Sequence, residues 1–192
     1  MKAVLKDIAS IQMGYSFRSR LESTDAGKVA VIQMKDLMDD NKVDLSNPTL
    51  IDMGKISESH YMKNGDLIFR SRGLSATSAI VSGDPGVAIL SSPLLRIRIN
   101  DPNIMPEYLN WYISQLPAQA FLARHTKRTT QKMIGKEELE KVEVFIPSLE
   151  KQKAIVALAA LADQEERIMK KLTVKRKQYI SATLIRKTQE KR

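Results

Sequence analysis

After Pro147 the chain contains no further glycine or proline, so nothing in residues 148–192 is written to stop a helix. Ser148 is suited to cap its start by accepting from an exposed backbone N–H, and Glu150 favours the positive end of the helix dipole. Within this tail Leu158, Leu161, Glu165, Ile168, Leu172, Lys175, Tyr179 and Ala182 recur in alternating steps of three and four. Ile155, Ala162 and Met169 widen the stripe. The pattern is a heptad-like seam interrupted by two charges, Glu165 and Lys175. A helix over this span is about 60 Å long, more than a small domain covers. An apolar stripe of that length calls for a second helix beside it, although the first three turns can also pack on the chain's own domain.

The boundary before this helix is sharp. In 142–146, Val142, Val144 and Ile146 alternate with Glu143 and Phe145, which is the period of a strand with one buried face. Charge changes across the same boundary. Residues 149–192 hold 12 Lys and Arg against 5 Asp and Glu, whereas 1–148 hold 19 against 17. The excess suits a polyanion or an acidic protein partner, and equally a solvated lysine-rich helix.

Residues 1–148 read as one mixed unit of short elements, without repeats or low-complexity linkers, so the expected class is α+β. "GKVAVIQMKDL" (27–37) and "NGDLIFRSRG" (64–73) each predict a strand bounded by turn residues. "SAIVSGDPGVAILSSPLLRIRI" (78–99) predicts two or three more, the last alternating Leu95, Ile97 and Ile99 with Arg96 and Arg98. In 101–125 the period changes: Pro106 suits a first helical turn, and Leu109, Tyr112, Ile113 and Leu116 follow at threes and fours. Pro117 is expected to break or kink that helix, with 118–123 resuming it.

Signals for catalysis are weak. The chain has no cysteine, which removes disulfides, thiolate metal sites and a cysteine nucleophile. His60 and His125 have no helical ligand partner at i, i+4. "GLSATSA" (73–79) lacks the Gly-Lys-Ser/Thr ending of a phosphate loop, and there is no Gly-x-Ser-x-Gly elbow. "NPT" (47–49) and "DPN" (101–103) lack the second proline and aromatic residue of an adenine-methyltransferase loop. No cofactor is expected. Asp39–Asp40 suits a polar turn better than a metal site. No segment has the length of a membrane span, the first residues lack a signal-peptide core, and the cytoplasm is the expected location.

Basic residues, by contrast, recur beside turns. Arg18 and Arg20 follow "GYSF", which supplies Tyr15 and Phe17 for contacts with sugars or a thymine methyl. Arg70 and Arg72 flank Ser71 just before Gly73. Arg124, His125, Lys127, Arg128, Gln131 and Lys132 form a run inside a stretch, 108–135, that holds no acidic residue. Arginine and lysine neutralise phosphates, and arginine and glutamine also pair with base edges. The candidate DNA-binding residues are therefore Tyr15, Arg18, Arg20, Arg70, Arg72, Arg124, Lys127, Arg128, Gln131 and Lys132. The candidate partner-helix residues are Ile155, Leu158, Leu161, Ile168, Leu172 and Tyr179.

Four stretches together resemble the specificity subunit of type I restriction–modification enzymes. Leu5, Ile8 and "GYSF" are similar to the start of its target-recognition domain, and "NGDLIFRSRG" to its Gly-Asp-Leu-hydrophobic-Phe segment. "PEYLNWYI" looks like its Pro-x-Tyr-Leu helix. In "VFIPSLEKQKAIV", Ile146, Pro147, Leu149, Gln152 and Ile155 match the family's junction between recognition domain and conserved helix.

The resemblance implies a non-catalytic reader of double-stranded DNA. In that family one chain usually carries two recognition domains, each followed by a long helix. The helices pair antiparallel and dock methyltransferase subunits, and translocase–nuclease subunits complete the restriction complex. Here the resemblance implies one recognition domain (1–148) and one coiled-coil-type helix (149–192), a half-sized form expected to work as a homodimer. The family's base-reading residues lie in variable regions, so the site residues above rest on local chemistry. Two other readings compete: an interaction protein or assembly decoy that binds methyltransferase subunits without reading DNA, and a small metal-dependent nuclease.

Overall fold

A computed structural model of the chain describes all residues except Arg20, Asp25, 39–40, Lys55, 73–75, 126–132 and 190–192. In chain order the elements are β1 (Lys2–Val4), α1 (Leu5–Ile8), β2 (Ala9–Met13), β3 (Val29–Ile32), β4 (Thr49–Ile51) and β5 (Leu67–Arg70). They continue with β6 (Ser78–Ile80), β7 (Ala88–Leu90), β8 (Leu94–Ile99), α2 (Pro106–Ile113), α3 (Leu116–His125), α4 (Lys136–Glu140), β9 (Glu143–Phe145) and α5 (Leu149–Gln189). The chain divides into two compact units, Met1–Lys153 and Ala154–Arg192, so the first turn of α5 lies with the first.

Three small sheets build the first unit. One has the order β2-β8-β5-β6, antiparallel throughout. A second, β4-β3-β7, pairs β3 antiparallel with β4 and parallel with β7. The third joins β1 to β9, with Ala3 opposite Val144. Alternation along β3 and β7 divides the apolar side chains between two clusters. Ile32, Ala88 and Leu90 enter one with Ile68, Met62 and Leu94, while Val29, Val31 and Ile89 enter the other with Ile51 and Ile56. Leu67, Ile68 and Phe69 are all fully buried, so β5 is covered on both faces. That explains why the segment reads as a continuous apolar run rather than as an alternating one. Each such side chain contributes about 1.5–3 kcal/mol on burial.

Two local expectations change. The helix after Pro106 stops at Ser114, whose N–H bonds back to the Trp111 carbonyl while the Gln115 N–H reaches that of Tyr112, and α3 begins at Leu116. Pro117 therefore sits in a first turn, where its missing N–H costs nothing, and starts a helix instead of breaking one. Leu116 does not join the buried face of Leu109, Tyr112 and Ile113; it is 81% exposed.

The junction into α5 is held by Gln152, a polar side chain with no solvent exposure. Its Oε1 accepts from the Met105 N–H at 2.9 Å, and its Nε2 donates to the carbonyls of Asn103 at 2.8 Å and Pro147 at 2.9 Å. Ser148 caps as expected, its Oγ accepting from the Lys151 N–H at 3.4 Å. Tyr108 Oη donates to the Phe145 carbonyl at 2.5 Å, tying α2 to β9. From there α5 runs 41 residues without a break. Along it Leu158, Leu161, Ile168, Met169, Leu172 and Tyr179 are all more than half exposed.

Candidate nucleic-acid interface

The end of β2 positions the first candidate side chains. Gly14 packs against the β7–β8 connection so closely that an added Cβ would stand 2.5 Å from the Ser91 carbonyl carbon. This approach lets the Tyr15 N–H reach the Leu90 carbonyl at 2.6 Å and the Ser92 N–H reach the Tyr15 carbonyl at 2.9 Å. Tyr15 is thereby fixed half-buried, its ring 5.0 Å from Phe17 and edge-on to His60 at 5.8 Å. Beside it opens a cleft of roughly 550 Å³, whose lining includes Tyr15, Phe17, Arg18, Glu22, Asp52 and Met53. Arg18 is exposed there and makes no hydrogen bond or ion pair with the described residues. The walls combine aromatic faces, one arginine and two carboxylates, a set able to stack on a base or sugar and to meet donor and acceptor edges alike.

The second group lies at the end of β5. Arg70 is half-buried and its Nη2 donates to the carbonyls of Leu37 at 2.6 Å and Met38 at 3.3 Å, so it fastens the loop after β3. Arg72 is exposed; it bridges to Met133 and directs Nε toward that sulfur at 3.3 Å. Met133 directly follows the basic segment, and Arg124, exposed in the last turn of α3, precedes it. His125 stacks on Phe121 with centroids 4.1 Å apart and donates from Nδ1 to the Phe121 carbonyl at 2.8 Å. Arg72 and Arg124 thus stand at the two ends of the basic run. Lys127, Arg128, Gln131 and Lys132 within it, and Arg20, lie outside the described residues. So do Asp39 and Asp40. Among the described residues no hydrogen bond or ion pair joins the Tyr15–Arg18 cleft to Arg72 or Arg124.

Between these groups runs a polar network that sequence reasoning did not find. The arginines of β8 alternate with apolar residues, but their side of the sheet is not open to water. Arg96 is buried; its Nη1 donates to the Ser59 carbonyl at 2.5 Å and its Nη2 to Gln12 Oε1 at 2.8 Å. Because Arg96 can only donate, Gln12 must face it with oxygen, and its amide nitrogen then donates to His60 Nδ1 at 3.2 Å. Arg98 donates Nε and Nη2 to the two oxygens of Asp66, at 2.7 and 2.6 Å, and Nη2 also reaches the Tyr61 carbonyl at 2.8 Å. Burial, then repulsion from Arg98, lowers the Arg96 pKa below the ordinary arginine value, and Asp66 opposes the shift. Asp66 also accepts from the Lys63 N–H at 2.7 Å, which explains the Gly-Asp-Leu turn: Gly65 takes a positive φ and the next carboxylate both closes the turn and holds Arg98.

Comparison with known families settles what this assembly of parts is. The family model described as the type I restriction modification DNA specificity domain matches residues 1–175, spanning the three sheets and most of α5. The chain belongs to that family. As a specificity domain it is similar in fold to the HsdS subunit from Thermoanaerobacter tengcongensis, with a TM-score of 0.67 at 19% identity, covering 89% of this chain and 39% of that one. A structure from work on complex assembly and conformational transition of the type I R-M system gives 0.68 at 19% identity, over 89% of this chain and 40% of the other. The S subunit of a type I system from M. genitalium gives 0.57 at 13% identity, over 85% and 39%. No curated protein matches. The specificity domain described here thus spans about two-fifths of the length of these solved chains.

Within the specificity domain the family-like motifs have structural causes. Gly14, Asp66, Tyr108 and Gln152 each satisfy a backbone group or permit a close backbone approach. No cluster of metal-ligating side chains occurs among the described residues. Among the described residues no helix is long and apolar enough to cross a membrane.

Proposed function

We propose that this chain is a non-catalytic DNA-reading subunit: each copy reads one half of a split target, and two copies join through α5 to recruit methyltransferase subunits, with restriction subunits completing the complex. The observation that carries the reading is the family match across both the folded unit and the long helix. The exposed apolar seam from Leu158 to Tyr179 supports the dimer, since so long a stripe is stabilised by a helix laid against it. Two-fold symmetry presents identical heads, and identical heads read identical half-sites. The target is accordingly bipartite and palindromic.

Selection from a random-sequence duplex library with the purified chain, at several salt concentrations, tests the reading. A palindromic split site that survives rising salt supports it. Affinity without sequence preference, lost as salt rises, refutes it. Addition of a compatible methyltransferase subunit is expected to give methylation at the selected site, with none from the chain alone.

A further inference from the structure

The charges that interrupt the α5 seam specify how a second copy docks. Glu165 and Lys175 stand in the stripe, five residues on either side of Lys170. Both are exposed, and neither has an ion pair or hydrogen bond among the described residues. Their own helix gives them no partner of opposite charge. The positions three and four residues from Glu165 are Leu161, Ala162, Ile168 and Met169, and those around Lys175 are Lys171, Leu172, Gln178 and Tyr179. Glu166, next to Glu165, is already paired with Lys170 at 2.6 Å.

From this charge complementarity we infer that two copies of α5 pair antiparallel in a single register, with the two-fold axis passing at Lys170, so that Glu165 of each copy faces Lys175 of the other. The inference rests on the helix-mediated dimer proposed above. The same register sets Leu161 opposite Tyr179, Ile168 opposite Leu172 and Leu158 opposite Ala182, giving apolar layers on both sides of the ion pairs. Sliding by one heptad destroys the match: Glu165 then meets Ile168 or Ala182, and Lys175 meets Leu158 or Leu172. A parallel pair sets Glu165 against Glu165 and Lys175 against Lys175. Charges in a helical seam select the alignment in which each is neutralised, because every other alignment buries one unpaired or beside its like.

The absence of cysteine allows a clean test. Full-length chains carrying Leu161→Cys are mixed with full-length chains carrying Tyr179→Cys and treated with a short bis-maleimide crosslinker. The expected product joins 161 to 179, with little 161–161 or 179–179. In sedimentation, Glu165→Lys or Lys175→Glu alone is expected to weaken the dimer by roughly tenfold or more, and the double exchange to restore it. A dimer that crosslinks 161 to 161, or that is indifferent to both single exchanges, overturns the register and leaves the dimer standing. A wild-type chain that stays monomeric at micromolar concentration overturns the dimer itself.

Discussion

Asp66 grips Arg98 with both carboxylate oxygens, at 2.7 and 2.6 Å, and the aspartate is 2% exposed against 23% for the arginine. Such a pair stabilises little relative to an apolar substitute, but losing one partner leaves a charge without water. Asp66→Ala is therefore expected to cost about 3 kcal/mol, the low end for an arginine that keeps some solvent. Removing Arg98 as well, as in Asp66→Ala with Arg98→Met, is expected to recover part of that loss. Urea denaturation of the two variants measures both, and an unchanged midpoint for Asp66→Ala would contradict the assignment.

Gln152→Leu is expected to orphan the Met105 N–H and the carbonyls it now serves, at about 1–3 kcal/mol for each buried group left unpaired. Gln152→Glu keeps the acceptor for Met105 but loses both donated bonds and buries a charge, so it is expected to be worse. Hydrogen exchange at the Met105 amide reads the effect locally: exchange accelerates in Gln152→Leu, which removes its acceptor, more than in Gln152→Glu, which keeps it.

Gly14→Ala has no room for its methyl group, since the obstruction is main chain at Ser91 and not a mobile side chain. Destabilisation of about 1–3 kcal/mol is expected, in the range of overpacked sites. Altered Tyr15 fluorescence would accompany it, because the same approach seats the Tyr15 ring. A variant with wild-type melting behaviour would show that the approach is not required.

Lys127, Arg128 and Lys132 changed together to Ala are expected to weaken duplex binding. The slope of log K against log salt should fall by about 0.9 for each phosphate contact removed. Arg18→Ala tests the cleft separately. If it shifts preference among selected sequences at constant salt slope, Arg18 meets bases and not phosphates.

If two copies join through α5 as proposed, charged residues at Leu161, Ile168 and Leu172 are expected to give monomers, because each would lose water in the paired seam. Light scattering reports the assembly. The thermal transition of the first unit is expected to remain, since these side chains are exposed on the single chain.

The sequence revealed periodic features more readily than contacts between distant residues. The alternation of 142–146 and the heptad-like α5 are periodic over several residues, and the strand after Gly65 is a short apolar run bounded by turn residues; both are local properties of sequence. Arg96 shows where this stops. Its alternation with Leu95 and Ile97 reads as a wet face, yet Gln12 and the backbone at Ser59 close over it. That cover comes from residues 37 and 84 positions away, and no local pattern encodes it. The interruption before 118–123 is present, but it lies ahead of Pro117 and not at it: a proline ends one helix and begins another by the same chemistry, and only the turn at Ser114 decides which. For DNA binding, charge pointed to Arg70 and Arg72 alike, but the Leu37 carbonyl claims the first and leaves the second at the surface.

All three partners of the Gln152 side chain are main-chain atoms: the Met105 N–H and the carbonyls of Asn103 and Pro147. None of the three depends on which side chain its position carries, so long as position 105 keeps its N–H and is not proline. The socket is a shape of the chain path and not a matching of residues. Heads with quite different side chains can fit the same helix start, provided the loop before α2 keeps its course. The surfaces of the first unit can then change freely on a common mount, with no new joint to the helix.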